Sequence, residues 1–126
     1  MPGVILAVDD SESIRQMVRH TLEAAGYSVV QACDGAAALD YAKSKTADLV
    51  LTDINMPKLD GIALCRELRG LPHYKGVPIL MLTTESEPDA KIRGKQAGAT
   101  GWLVKPFNPS QLLATLARVL SSPTPV

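Results

Sequence analysis

Cysteine is scarce in this chain: Cys33 and Cys65 are the only two among 126 residues. Two thiols so far apart exclude a disulfide framework and a zinc site, and both read as small, reduced core or near-surface residues. Neither sign of charge is in surplus, with 13 Lys and Arg against 13 Asp and Glu. No net field therefore favours nucleic acid or an anionic membrane as a partner. Long apolar runs are lacking too, and none approaches the roughly 20 residues of a membrane span. Met1-Pro2-Gly3 carries no basic leader, and the apolar run Val4 to Val8 stops at two acids. No signal peptide is read, and a cytoplasmic location is expected. Repeats, low-complexity blocks and a linker to a second domain are also missing.

What is there is ordinary globular sequence, 46% hydrophobic and 21% charged. The length predicts one domain with a single core that needs no staples. Short apolar runs alternate with helical stretches. Val4 to Val8 reads as a strand buried on both faces. Ile14, Met17, Val18, Leu22 and Ala25 follow at helical spacing, and Gly26 supplies a stop. Tyr27 to Ala32 predicts a second strand, and Ala36 to Ser44 a helix with Leu39 and Ala42 facing inward. Asp48 to Thr52 predicts a third strand, then Gly61 to Leu71 a helix with Ile62, Cys65 and Leu68 on one face.

Pro78 to Thr83 predicts a fourth strand, its proline tolerated because it opens the run. Pro88 to Ala97 reads as a polar helix begun by proline, and Gly101 to Val104 as a short fifth strand. Asn108-Pro109-Ser110-Gln111 is a helix-start signature, an Asn cap answered by Gln three residues later. The last helix buries Leu112, Leu113, Leu116 and Leu120. Residues 1–120 are expected to form the domain, and Ser121 to Val126 a disordered Ser/Pro tail. Five strands alternating with five helices predict an α/β fold, a parallel sheet with helices on both faces and right-handed crossovers. Sites in such sheets form beyond the carboxyl ends of the strands, where strand order reverses.

Those ends carry the chemistry. Asp9 and Asp10 follow the first strand, Asp53 the third, Thr83 closes the fourth, and Lys105-Pro106 follows the fifth. Singly, each has a plainer explanation: an Asp at a strand end is commonly a turn former or a helix cap. Together at one rim they are not easily explained that way. Three carboxylates so close would repel and raise at least one pKa unless a cation sits between them. A hard divalent ion such as Mg²⁺ suits oxygen ligands of this kind, and Lys105 and Thr83 suit phosphoryl oxygens. No histidine belongs to the set.

The segments VDDS, TDINMPKLDG, MLTTE and GWLVKPF, taken together, resemble the receiver domain of two-component response regulators from about Val4 to Leu120, most of all the stand-alone, CheY-like members. The resemblance implies a flavodoxin-like, doubly wound five-stranded parallel sheet in the order 2-1-3-4-5 with five helices. It implies Asp53 as the phosphoacceptor, Asp9, Asp10, Asp53 and the main-chain carbonyl of Asn55 as Mg²⁺ ligands, and Thr83 and Lys105 as partners of the phosphoryl group. It implies a cis Lys105-Pro106 bond. Asn55, Thr84 and Glu85 match positions that tune self-hydrolysis and engagement by a phosphatase. Trp102 stands where the family's switch aromatic is usually Tyr or Phe, and so departs from the pattern, as Thr84 departs from Ala.

The implied activity is a phosphorylation-dependent switch, not a dedicated enzyme. A sensor histidine kinase would be the donor. An output target would bind on the face of the fourth helix, fifth strand and fifth helix, where Lys91 and Lys95 lie. MLTTE with GWLVKPF leans toward chemotaxis; the alternative is a phosphorelay shuttle that passes its phosphoryl group to a histidine phosphotransfer protein. Two other classes fit less well. A haloacid-dehalogenase-type phosphatase needs an acid two residues after its nucleophile, where this chain has Asn55. A flavodoxin-like FMN binder needs a first loop that welcomes phosphate, which Asp9-Asp10 would repel.

Overall fold

The computed structural model describes residues 3–56, 58–84 and 88–121. Its strands are β1 (Val4–Val8), β2 (Ser28–Ala32), β3 (Leu49–Asp53), β4 (Ile79–Thr84) and β5 (Gly101–Lys105). Its helices are α1 (Glu12–Ala24), α2 (Gly35–Ser44), α3 (Gly61–Arg69), α4 (Pro88–Ala97) and α5 (Pro109–Ser121). All four strand pairings are parallel, and the order is β2-β1-β3-β4-β5. The fold is therefore the flavodoxin-like, doubly wound α/β sheet with five helices expected from the resemblance.

Strand side chains alternate between two separate cores, as a period of two requires. Ile5, Ala7, Leu49, Leu51, Leu80 and Leu82 pack on one face against Val18 and Leu22 of α1 and Leu112 and Leu116 of α5. Leu6, Val8, Val50, Ile79 and Met81 pack on the other against Ala38 and Ala42 of α2, Ile62, Leu64, Cys65 and Leu68 of α3, and Ala97 of α4. This double burial is why the central strands β1, β3 and β4 read as largely apolar runs.

Local signals end α1 and begin α5 where the sequence places them. Gly26 adopts a φ of 99° just past α1, a left-handed conformation that favours glycine. Asn108 and Gln111 form the reciprocal capping box: Gln111 N–H donates to Asn108 Oδ1 at 2.8 Å and Asn108 N–H to Gln111 Oε1 at 2.9 Å.

Several details differ from expectation: β2 begins at Ser28, β4 runs one residue later at each end, β5 takes in Lys105, and α5 takes in Ser121 of the expected tail. The helix predicted to Leu71 ends at Arg69 and gives way to a 3-10 turn, Pro72–Tyr74. Ala38 joins the expected Ala42 as a fully buried residue of α2, with Leu39 only partly buried against the same core. Asp53 is the last residue of β3 itself, paired with Leu82, one step further into the sheet than predicted. The final five residues of the expected tail lie outside the described residues.

Candidate functional site

The strand order reverses between β1 and β3, so the chain leaves these neighbouring strands in a crevice at their carboxyl ends. Asp9 and Asp10 enter it from the β1–α1 loop and Asp53 from the end of β3. One carboxylate oxygen from each of the three lies within 4.8 Å of the others. Asp9 is buried, Asp53 half-buried and Asp10 exposed, so the cluster opens to solvent on the side of Asp10.

Lys105 arrives from the end of β5 and lies between two of the acids. Its Nζ donates to Asp9 Oδ2 at 3.0 Å and lies 3.3 Å from Asp53 Oδ1. The Lys105-Pro106 bond is cis, as the resemblance implied. Asp53 Oδ1 also accepts from the Ile54 N–H at 2.9 Å. Asp9 is held on its other oxygen, Oδ1, by the Ser11 N–H at 2.9 Å. The cap of α1 is the Ser11 hydroxyl, which accepts from the Ile14 N–H. The plain explanation of Asp9 or Asp10 as that cap therefore does not hold.

Electrostatics follow from this crowding. Burial and the charge of Asp9 raise the Asp53 pKa above the ordinary carboxylate value, and Lys105 with the Ile54 N–H offsets this only in part. Burial opposes the Lys105 ammonium, yet its bond to Asp9 and the fields of Asp53 and Asp9 outweigh that, so its pKa is raised as well. Three carboxylates against one ammonium leave the crevice net negative. A divalent cation with a preference for oxygen fits this donor set.

Thr83 is buried near the end of β4, in register with Val104 of β5. Asn55 is exposed in the loop after β3. Trp102, on β5 opposite Met81, packs beside the core on the α4 side, with its Nε1 buried and without a hydrogen-bond partner among the described residues. Glu85 and Pro57 lie outside the described residues, as does the side chain of Thr84. The topology thus brings Asp9, Asp10, Asp53 and Lys105 together, with Thr83 one step before Lys105 in the β4–β5 register.

Three supports of the site were not read from the sequence. Gly61 presses its backbone against Asp53 and Ile54 so closely that a Cβ there would overlap the Asp53 carbonyl oxygen. Its N–H also donates to the Ile54 carbonyl at 2.8 Å. Asp34, the cap of α2, pairs with Lys58 at 3.6 Å and ties the β2–α2 loop to the loop after Asp53. Arg15 donates from Nη1 to the main-chain oxygen of Asp9 at 2.8 Å. The usable signal for Gly61 was its place directly after the capping Asp60. For Arg15 it was a cation in the first turn of a helix, where the macrodipole disfavours one.

Residues 5–117 match the model of the response regulator receiver domain. The chemotaxis response regulator CheY4 of Vibrio cholerae is 54% identical, with a TM-score of 0.90 over 94% of this chain and 99% of that one. The receiver domain of sensor histidine kinase PA1611 from Pseudomonas aeruginosa, solved with a magnesium ion coordinated in the active site cleft, is 31% identical. Its TM-score is 0.89, over 97% of this chain and all of that one. The alkaline phosphatase synthesis transcriptional regulatory protein PhoP of Bacillus subtilis is 41% identical over 92% of this chain and 48% of its own length. The chain spans about half the length of the curated relatives it matches. A five-stranded sheet in this order, an acidic crevice at its switch point and the match of residues 5–117 lead to one conclusion: the chain belongs to the response regulator receiver domain family.

Proposed function

We propose that this receiver accepts a phosphoryl group on Asp53 from the phosphohistidine of a sensor histidine kinase and signals, in chemotaxis, by the conformational change that follows. The observation that carries the reading is the meeting of Asp9, Asp10 and Asp53 within 4.8 Å, with Lys105 Nζ at 3.0 Å from Asp9 and 3.3 Å from Asp53. Asp9, Asp10 and Asp53, with the carbonyl of Asn55, would hold Mg²⁺. Bound there, the ion supplies charge neutralisation for phosphoryl oxygens.

A carboxylate oxygen of Asp53 attacks phosphorus in line, forming the O–P bond as the P–N bond to histidine breaks and the imidazole departs. Burial and the charge of Asp9 raise the pKa of Asp53, and the more basic carboxylate is the better nucleophile for this step. Lys105 exchanges its bond to Asp53 for one to a phosphoryl oxygen, and the Thr83 hydroxyl donates to another. Water later attacks the acyl phosphate, returning inorganic phosphate and free Asp53. Asn55 orients that water, while Thr84 and Glu85 tune its access and that of a phosphatase. The chain assists its own phosphorylation and dephosphorylation but acts as a switch.

The phosphoryl group brings close to two negative charges and draws Thr83 toward it. That shift is transmitted to Trp102 on the adjoining strand and to the output face of α4, β5 and α5. Exposed Ile92, with Lys91 and Lys95 nearby on α4, supports a protein target there. Whole-length likeness to a chemotaxis regulator at 54% identity favours chemotaxis over transcriptional control or a phosphorelay shuttle. Among the described residues no helix is long and apolar enough to cross a membrane, and a cytoplasmic site of action accords with a kinase partner.

Incubation with acetyl phosphate and Mg²⁺ is expected to add one acid-stable, base-labile phosphoryl group. Unchanged labelling of Asp53→Asn would sink the assignment of Asp53. Capture of partners by beryllofluoride-loaded against free protein separates the outputs, since a motor component, a promoter-bound complex and a histidine phosphotransfer protein mark different pathways.

A further inference from the structure

Asp9 is tied at every polar group. Its N–H donates to the Ala32 carbonyl at 3.2 Å, and its two carboxylate oxygens take the Ser11 N–H and Lys105. Its main-chain oxygen accepts from Arg15 Nη1 at 2.8 Å. Arg15 in turn braces on the edge strand β2, where its Nε donates to Gln31 Oε1 at 3.3 Å. Among the described residues no carboxylate lies within ion-pair distance of Arg15. Its guanidinium therefore grips a backbone carbonyl and a neutral amide, and it does so from the first turn of α1, a place unfavourable for a cation.

We infer that Arg15 is a positioning residue for divalent-cation binding, fixing the Asp9–Asp10 peptide so that Asp10 presents its carboxylate to Asp9 and Asp53. The inference rests on the proposed reading of those three acids as Mg²⁺ ligands. A peptide unit is planar, so pinning the oxygen of Asp9 also orients the N–H and Cα of Asp10. Asp10 is the exposed member of the cluster and depends on this constraint more than buried Asp9 does. Released, the peptide rotates and the Asp10 carboxylate turns toward water.

Charge and position predict opposite signs. Removing a cation from beside a cation site strengthens binding if Arg15 acts only through its field. Removing a clamp weakens it. Outer-shell partners of this kind commonly contribute tenfold or more to metal affinity.

The test is calorimetric titration of Mg²⁺ into the full chain and into Arg15→Met, Arg15→Lys and Gln31→Leu, with urea midpoints in EDTA as the measure of folding. Arg15→Met is expected to bind about tenfold more weakly. Arg15→Lys, which keeps the charge and loses the fork, falls between it and the parent, and Gln31→Leu weakens binding about two- to threefold. Equal or tighter binding by folded Arg15→Met overturns the inference, as does a lowered urea midpoint with unchanged affinity. If Arg15→Met does not fold, Gln31→Leu decides, and unchanged affinity there overturns it. A parent chain that binds no Mg²⁺ would instead bring down the ligand assignment beneath it.

Discussion

Tyr74 offers a quantitative test of how the sheet is held at the end away from the site. It lies in the 3-10 turn between α3 and β4 with no exposed surface. Its hydroxyl donates to the Lys45 carbonyl at 2.7 Å and accepts from the Ala47 N–H at 3.0 Å. Both partners belong to the loop that feeds β3, so one oxygen ties that loop to the turn. Tyr74→Phe keeps the ring and its packing and deletes only this oxygen. A lost neutral hydrogen bond costs about 1 kcal/mol, and a buried N–H left unpaired about 1–3 kcal/mol. Ala47 is fully buried, so water does not readily replace the lost partner, and the expected loss is about 2–3 kcal/mol. With a slope of about 2 kcal/mol/M, the urea midpoint falls by about 1 M. Equilibrium unfolding followed by circular dichroism measures it. Labelling by acetyl phosphate well below the transition stays as in the parent, because Asp53 ends β3 and Tyr74 braces its beginning. A midpoint within about 0.2 M of the parent would refute the reasoning, since the hydroxyl would then contribute nothing beyond what water supplies.

Gly61→Ala places a Cβ against the Asp53 carbonyl oxygen and 2.9 Å from Ile54 Cα. A stability loss of about 1–3 kcal/mol is expected together with slower labelling, read by urea unfolding and acetyl phosphate kinetics. In EDTA, the Asp53 carboxyl of the folded chain keeps its proton to higher pH than that of the unfolded chain. Its contribution to stability therefore falls as pH rises from the ordinary value of about 3.9 through the raised one. The stability difference between the parent and Asp53→Asn should show that fall, and a flat difference would exclude it. Burial raises the Cys65 pKa, whereas Cys33 is exposed. Iodoacetamide should modify Cys33 in the native protein and Cys65 only after unfolding, as mass spectrometry of tryptic peptides would reveal.

The sequence by itself determined the elements and their kind. Strands buried on both faces must be apolar throughout, so Val4–Val8 declares itself, and Asn108 with Gln111 or Gly26 can be read because caps and stops are local chemistry. It also placed Asp9, Asp10, Asp53, Thr83 and Lys105 at strand ends, which needs only the alternation of strand and helix. The bonds among them were beyond its reach. That Lys105 bonds Asp9 across 96 positions depends on where β5 lies relative to β1. Arg15 shows the same limit from the other side: its partners, the Asp9 carbonyl and Gln31, come from two different strand regions that only the folded sheet sets side by side. Tyr74 reads as one more aromatic in a loop until packing removes its water and leaves the Ala47 N–H dependent on it. Local chemistry is carried by neighbours along the chain, whereas close approach, burial and the shifts they impose on Asp53 and Lys105 come from residues that meet only in three dimensions.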